Sequence, residues 1–332
     1  MAQAAFHTQD ESLVRNLLIL DGFSRAGKYF LGKIVAGLAN TDFFQSISAL
    51  EHIPFIHRLG GITDDAAVAL FRKIVDENAY NIRIGRNLNT RVSDASSIYN
   101  SPDIGEYLRR SVSAFGEISL SSDQILDSFR TSGRWSVFLT HETLPNAGFL
   151  FKAYPGLRMI NLIRHPVDVM HSWYLRGWGR RFGGDPLSFV PTVNGPAGPV
   201  PWHANAYREA YAGMGEADRV IHSISELTNI TALAYAGLDQ ARRGQILFVR
   251  YEDLVEKPQA AISAMAGFLG TQAHDGMRVI LARERCPGSV SQEKRARKAS
   301  ELRANSSAEA AALLDELSAN YEKRANPYEA AE

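Results

Sequence analysis

The sequence lacks a surplus of charge of either sign. Lys plus Arg and Asp plus Glu number 36 each among 332 residues, so the formal net charge is zero at pH 7. Proteins that bind nucleic acid through its backbone usually carry a basic surplus, so we expect no nucleic-acid partner. Any site for an anion must therefore be a local cluster of basic residues.

Cysteine and long apolar runs are also scarce. The single cysteine, Cys286, excludes an intrachain disulfide and a cysteine-based zinc cage, and no H-x-E or HExxH pattern indicates zinc. No apolar run approaches the ~20 residues that span a bilayer. The first residues lack the basic and apolar segments of a secretory signal. These features predict a cytoplasmic protein with no membrane span.

Four short apolar runs predict buried strands, and helical periodicity separates them. The runs show no alternation, which is typical of parallel strands covered on both faces; they are residues 16–22, 136–141, 158–164 and 245–251. Apolar residues at helical spacing occupy 31–38, 67–74 and 310–317. Pro258 and Gly270 predict the two ends of another helix. We therefore predict an α/β fold, a three-layer α/β/α domain over 1–332 with a central parallel sheet.

Two segments interrupt this alternation, and a third follows it. Residues 40–135 are mostly helical in pattern, with one predicted strand at 81–84, and residues 176–204 are rich in Gly and Pro. Residues 283–332 form a C-terminal helical region. We expect the first two segments to cap the carboxyl ends of the strands, where open α/β sheets bind ligands.

The loop Gly22–Lys28, GFSRAGK, joins the first strand to a helix. Its spacing matches GxxxxGK, in which backbone N–H groups at a helix N-terminus hold phosphate. Nucleoside triphosphatases place Ser or Thr next, as a magnesium ligand, but this chain has Tyr29. The loop therefore indicates phosphate binding rather than magnesium-dependent hydrolysis.

Two later segments can complete a nucleotide site. Arg164 ends a predicted strand, and Asp168 and Ser172 lie on the helix that follows. An arginine and a serine in these places can converge on one phosphate. Tyr251 ends the last predicted strand and can stack on a base.

Together the three segments resemble the sulfotransferase superfamily that uses 3′-phosphoadenosine 5′-phosphosulfate (PAPS). That family has [KR]-x-G-T-[TS] at the 5′-phosphosulfate, R-x-x-x-D-x-x-x-S at the 3′-phosphate, and then Y-E-D-[LM] with F-[LV]-G. This chain matches in the same order, over residues 17 to 270: Arg25-Ala26-Gly27; Arg164, Asp168 and Ser172; Tyr251-Glu252-Asp253-Leu254 and Phe268-Leu269-Gly270.

The resemblance implies a P-loop-like fold and transfer of a sulfuryl group from PAPS, without a metal, to a hydroxyl or amine. Its implied catalytic residues are His141, Arg25 and Lys28. The implied cofactor-binding residues are Arg25, Ala26, Gly27, Lys28, Tyr29, Phe30, Arg164, Ser172 and Tyr251. His141 ends the strand before that of Arg164, where the cytosolic branch carries K-T-H-L-P with its histidine as the base. Glu142 is the alternative base, and His171 and His203 are weaker candidates.

The chain departs from the family pattern at several positions. Lys28 and Tyr29 replace the paired threonines, and Arg25 replaces the catalytic lysine, so it can stabilise charge but cannot shuttle a proton. The basic loop that completes the 3′-phosphate site is not evident. Candidates are Arg283, Arg285 and the run 293–298, which could equally form a solvated helix face.

The 176–204 segment suggests the acceptor. Trp178, Trp202 and the arginines at 176, 180 and 181 suit a carbohydrate, including an anionic one, or a small hydroxylated metabolite. Two other functions remain open at this stage. The GFSRAGK loop also suits a P-loop kinase or NTPase, and a non-catalytic protein could retain nucleotide binding alone.

Overall fold

The structure, a computed structural model, describes residues 11–112, 121–324 and 326–329. At its centre lies a parallel sheet of five strands in the order β2-β3-β1-β4-β7, and β5 and β6 form a separate antiparallel hairpin. The strands are β1 Leu17–Asp21, β2 Gln45–Ser46, β3 Ser136–Leu139, β4 Arg158–Ile163, β5 Thr192–Gly195, β6 Gly198–Pro201 and β7 Ile246–Arg250.

Helices cover both faces of the sheet and form most of the described part of the 40–135 segment, whereas the 176–204 segment carries the β5–β6 hairpin. The helices are α1 Lys28–Ala36, α2 Ala49–Arg58, α3 Asp64–Arg83, α4 Ile104–Val112, α5 Ser122–Thr131, α6 Ala147–Ala153, α7 Pro166–Leu175, α8 Trp178–Arg181, α9 Arg208–Tyr211, α10 Glu216–Ala236, α11 Gln240–Arg243, α12 Tyr251–Glu256, α13 Pro258–Leu269, α14 Met277–Arg283, α15 Gln292–Ala304 and α16 Ala308–Lys323. Within the described part of the chain, none of them is long and apolar enough to cross a bilayer.

The predicted α/β/α class and all four predicted strands are confirmed. Every residue of β1 is buried, and β3 and β4 pair with it on either side, as continuous apolar runs predict for a central strand. The helix α13 begins at Pro258 and ends before Gly270, whose φ of 67° is the left-handed conformation that stops a helix.

The strand predicted at 81–84 is wrong, because these residues continue α3 to Arg83. The buried residues Ala67, Phe71 and Val75 recur every four positions, and buried Ala79 and Ile82 continue the same helical face. The fifth strand is instead β2, which has two residues and pairs with the outer side of β3. A strand of that length has no recognisable period in sequence.

A buried ionic network attaches the C-terminal helices to the sheet. Asp168, in the first turn of α7, accepts hydrogen bonds from Arg295 Nε at 3.0 Å and Lys298 Nζ at 2.5 Å. Arg295 also donates to Glu252 at 3.1 Å, and the Tyr321 hydroxyl donates to the same carboxylate at 2.6 Å. Asp168 and Glu252 therefore together pair with Arg295 and Lys298 of the basic run in this structure.

Arg295→Ala is expected to lower the free energy of unfolding by about 3 kcal/mol, because it removes one partner from buried Asp168 and Glu252. Lys298 still bonds Asp168, so the effect lies at the lower end of what a broken buried pair causes. Urea unfolding measures it. The control is Arg297→Ala, an exposed change on the same helix, expected to stay within about 0.5 kcal/mol. Equal effects of the two changes would show that the network does not stabilise the fold.

Candidate active site

The loop between β1 and α1 is a tight turn that two glycines make possible. Gly22 and Gly27 have φ of 137° and 108°, and Arg25 between them has φ of 72°. A Cβ on Gly22 would lie 2.3 Å from the carbonyl oxygen of Leu162, and one on Gly27 would lie 2.7 Å from the Tyr251 ring. The backbone conformation and the close approach both require glycine at these two positions.

Asp21 joins this loop to the turn after β3. Its buried carboxylate accepts hydrogen bonds from Thr140 Oγ1 at 3.0 Å and from the backbone N–H groups of Thr143 and Leu144 at 3.1 and 2.9 Å. The turn that carries His141 and Glu142 is thereby held beside the phosphate loop.

The Lys28 ammonium lies beneath the loop. Its side chain is buried and donates to the carbonyl oxygen of Gly22, the first residue of the loop. Burial lowers the pKa of Lys28, while the nearby carboxylates of Glu142, Asp21 and Glu51 oppose that shift. In this structure Lys28 therefore joins the two ends of the loop through its bond to Gly22, and its ammonium lies near the carboxyl groups of Glu142, Asp21 and Glu51.

Three arginines converge around Ser172. Arg25 Nε and Arg176 Nη1 donate to its hydroxyl oxygen at 3.3 and 3.1 Å, and Arg164 Nη1 donates to the carbonyl oxygen of Arg25 at 3.1 Å. None of the three pairs with a carboxylate among the described residues. Burial, Arg176 and Arg164 together lower the pKa of Arg25.

This cluster fits a phosphate group. Arg164 Nε is buried with no hydrogen-bond partner in the described parts of the chain, and buried polar groups normally have one. The structure places Arg164 and Ser172, predicted to share a phosphate, in one cluster in which Arg25 links the two, and it adds Arg176. Arg176 caps the C-terminus of α7, four residues after Ser172, and this helical spacing could have identified it from the sequence.

The other predicted nucleotide residues surround this cluster. The Tyr251 ring contacts Gly27, has the Arg164 guanidinium 4.2 Å from its centre, and meets the Phe30 ring edge-on at 6.3 Å. Tyr29 packs edge-on against Phe44 at 5.9 Å, and Ala26 is buried within the loop. Arg283 and Arg285 are exposed around the end of α14, and neither forms a hydrogen bond with Ser172.

His141 is paired with Glu51, a residue that sequence analysis did not single out. Nδ1 of His141 lies 2.7 Å from Glu51 Oε1, in the first turn of α2. Burial and the neighbouring Lys28 lower the pKa of His141 to about 4, so the imidazole is neutral at neutral pH. Burial raises the pKa of Glu51 to about 8, although Lys28 opposes that shift.

Glu142, the alternative base, is engaged with the loop. Its φ is 53°, and its carboxylate accepts a hydrogen bond from the backbone N–H of Ser24. Burial raises its pKa. By contrast, Nε2 of His141 has no hydrogen-bond partner among the residues described.

A cavity of about 220 Å³ lies beside the loop. Its lining includes Ser24, Glu51, His141 and Glu142, together with aromatic side chains, namely Phe55, Trp173, Trp178, Phe182, Phe189, Trp202 and His203. The indole N–H of Trp173 donates to the Ser24 carbonyl oxygen at 2.8 Å. The cavity therefore extends from the phosphate loop to the 176–204 segment.

The arginines of that segment do not line the cavity. Arg180 lies 3.7 Å from Glu216, Arg181 lies 2.5 Å from Asp185, and Arg176 is bonded to Ser172. His171, a weaker candidate base, is hydrogen-bonded to Glu301 of α15 at 2.8 Å and is not among the cavity residues.

A glycine-containing loop at a helix N-terminus, an arginine cluster and a neutral histidine, all at the carboxyl edge of one parallel sheet, suit a nucleotide-dependent group-transfer enzyme. Residues 130–316, more than half of the chain, match the family described as "Sulfotransferase domain". The chain belongs to the sulfotransferase family and is a PAPS-dependent enzyme of that family. No curated protein matches it.

Solved structures to which the chain is similar include the following three. The sulfotransferase domain from the curacin biosynthetic pathway is 15% identical, with 80% of this chain and 77% of that chain covered and a TM-score of 0.41. The domain from the Synechococcus PCC 7002 olefin synthase is 14% identical, with 94% and 90% covered and a TM-score of 0.42. A sulfotransferase from Alicyclobacillus acidocaldarius is 14% identical, with 92% and 96% covered and a TM-score of 0.38.

Arg176→Ala is expected to weaken binding of adenosine 3′,5′-bisphosphate about 10- to 100-fold, because a charged hydrogen bond to a phosphate is lost. Titration calorimetry measures the change. Arg180→Ala is the matched control, since that guanidinium faces Glu216, and it should leave the affinity unchanged. An Arg176→Ala protein with wild-type affinity would remove Arg176 from the phosphate site.

Proposed function

We propose that this enzyme transfers the sulfuryl group of PAPS to the hydroxyl of a small, uncharged aromatic acceptor. The observation that carries this proposal is the His141–Glu51 pair, in the wall of an aromatic cavity that reaches the phosphate loop at Ser24. The carboxylate-paired histidine supplies a base, and the aromatic walls select the acceptor.

The donor is held at two places. Arg164, Arg176 and Ser172 bind the 3′-phosphate, because they combine unneutralised positive charge with a hydroxyl. The backbone N–H groups of Gly27, Lys28 and Tyr29, at the start of α1, bind the 5′-phosphosulfate, since those of Ala26 and Phe30 already donate to Phe23 and Gly27. Arg25 serves both places, since its backbone is in the loop and its side chain reaches Ser172. Tyr251 remains our prediction for the adenine side.

The transfer step is an in-line displacement at sulfur. The acceptor hydroxyl gives its proton to His141 Nε2 as its oxygen forms a bond to sulfur. The bond from sulfur to the bridging oxygen breaks, and its electron pair leaves with adenosine 3′,5′-bisphosphate. The loop amides and the Arg25 guanidinium stabilise the charge on the departing nucleotide, and no step requires a metal.

The size of the cavity and the charges around it limit which acceptor molecules can bind. The 220 Å³ is below the roughly 300–1,000 Å³ of drug-sized sites, so a one- or two-ring molecule suits it. An anionic carbohydrate would need the arginines of residues 176–204 in the cavity, but they bond to Ser172, Glu216 and Asp185.

Calorimetric titration with adenosine 3′,5′-bisphosphate and with ATP, each with magnesium and with chelator, tests the donor. We expect the bisphosphate to bind equally in both conditions and ATP to bind weakly, because the hydroxyl of Tyr29 is too far from the backbone to hold magnesium where a Ser or Thr would. ATP binding that depends on magnesium would instead support a kinase. Binding of the bisphosphate without turnover of any acceptor would indicate a non-catalytic protein.

The Glu51–His141 pair predicts an alkaline rise in activity. Below pH 8, protonated Glu51 donates to Nδ1, which leaves the ring hydrogen on Nε2 and no lone pair for the acceptor. Above pH 8, ionised Glu51 accepts from Nδ1–H and frees Nε2. We expect kcat/KM to rise with an apparent pKa near 8, and Glu51→Gln to abolish that rise.

His141→Ala separates catalysis from folding in the same experiment. This variant should bind the bisphosphate as the wild type does, while its kcat falls about 10²- to 10⁴-fold, as expected for loss of a general base. An unchanged pH profile in Glu51→Gln would contradict the role of the pair.

A further inference from the structure

His203 is a buried imidazole without a partner. It lies in the short 3₁₀ helix of residues 202–207 that follows β6, is 5% exposed, and lines the cavity. Its Nδ1 is buried and unbonded, and no described residue forms a hydrogen bond with either ring nitrogen. Because buried polar groups are normally hydrogen-bonded, the ring is suited to a partner that enters the cavity.

The surroundings of His203 are aromatic. The ring centres of Trp173, Phe182 and Trp202 lie 6.2, 6.1 and 5.7 Å from that of His203. Burial alone lowers its pKa to about 3, so the ring is neutral and offers one N–H donor and one acceptor nitrogen. His203, a weaker candidate base from sequence, is therefore a neutral hydrogen-bonding group in this structure.

The contacts place His203 away from the transfer point. Trp173 separates it from the loop, since the Trp173 indole bonds Ser24 on one side and contacts His203 on the other. A second chain of contacts runs from His203 towards Glu51. Trp202, the neighbour of His203, stacks on Phe55 at 4.2 Å, and Phe55 lies one turn of α2 from Glu51. A molecule that reaches both His141 and His203 must therefore extend along aromatic walls.

We infer that His203 binds the acceptor through a hydrogen bond to a second polar group, distant from the hydroxyl that receives the sulfuryl group. The acceptor class is thus a small aromatic compound with two polar groups. The second group is uncharged, because neutral His203 and the aromatic rings beside it supply no counter-charge. This inference rests on the proposed function, and it assigns His203 as the residue that selects among aromatic acceptors.

Two matched pairs of phenols test the assignment by PAPS turnover. 4-(Hydroxymethyl)phenol and 4-ethylphenol have nearly the same shape and differ in one polar group, as do 2,6-dihydroxynaphthalene and 2-naphthol. We expect the wild type to favour the doubly polar member of at least one pair by about tenfold or more in kcat/KM, because a site built to bond a hydroxyl rejects the analogue that lacks it.

His203→Phe should remove that preference, and His203→Asn, which keeps a donor and an acceptor, should retain part of it. His222→Phe is the matched control, because His222 lies outside the cavity against Tyr207 and should change nothing. Bisphosphate affinity and melting temperature verify that each variant is folded.

The outcomes separate the two proposals. Equal kcat/KM within both pairs in the wild type, or an unchanged preference in folded His203→Phe, would overturn the role of His203 and leave the proposed function standing. No turnover of any of the four phenols by an enzyme that binds the bisphosphate would overturn the aromatic acceptor, and the role of His203 with it.

Discussion

The site depends on the interactions of the buried Lys28 ammonium with the acidic groups and the loop carbonyl around it. Three carboxylates approach it from separate parts of the chain: Asp21 at the end of β1, Glu51 on α2 and Glu142 after β3. Burial disfavours the ionised forms of Glu51 and Glu142, and the Lys28 cation opposes that effect at both carboxyl groups. The same ammonium bonds the first carbonyl of the phosphate loop. The Gly22–Lys28 loop, the turn that carries His141, and the helix α2 that carries Glu51 therefore all lie around the Lys28 ammonium.

The core of the fold could be predicted from sequence because its strands are apolar on both faces. Such runs differ from the helical periodicity on either side of them, and β1, β3, β4 and β7 all formed where they were expected. The error at 81–84 arose because the few apolar residues at the end of a helix resemble a short strand. β2 could not be predicted, since two residues carry no period and their pairing depends on β3.

The site could be predicted where its residues are close in sequence to a recognisable turn. Arg25 and Gly27 lie within the loop, and Arg164 and Ser172 lie at a strand end and on its following helix. Glu51 could not be found in this way, because it meets His141 only through a contact across 90 residues. The sequence shows that residue 203 is a histidine, but only the folded structure shows that its buried Nδ1 has no hydrogen-bond partner among the described residues.

The tryptophans that line the cavity beside the loop differ in their freedom to change, and Trp173 has the least. Its indole N–H holds the Ser24 carbonyl, so a substitution there would disturb the donor loop as well as the acceptor. Trp178 and Trp202 come from the 176–204 segment, outside both the loop and the arginine cluster. A lineage that acquires a new acceptor can therefore vary Trp178 and Trp202 while Trp173 stays fixed. New specificity can then arise without renewed selection for donor binding.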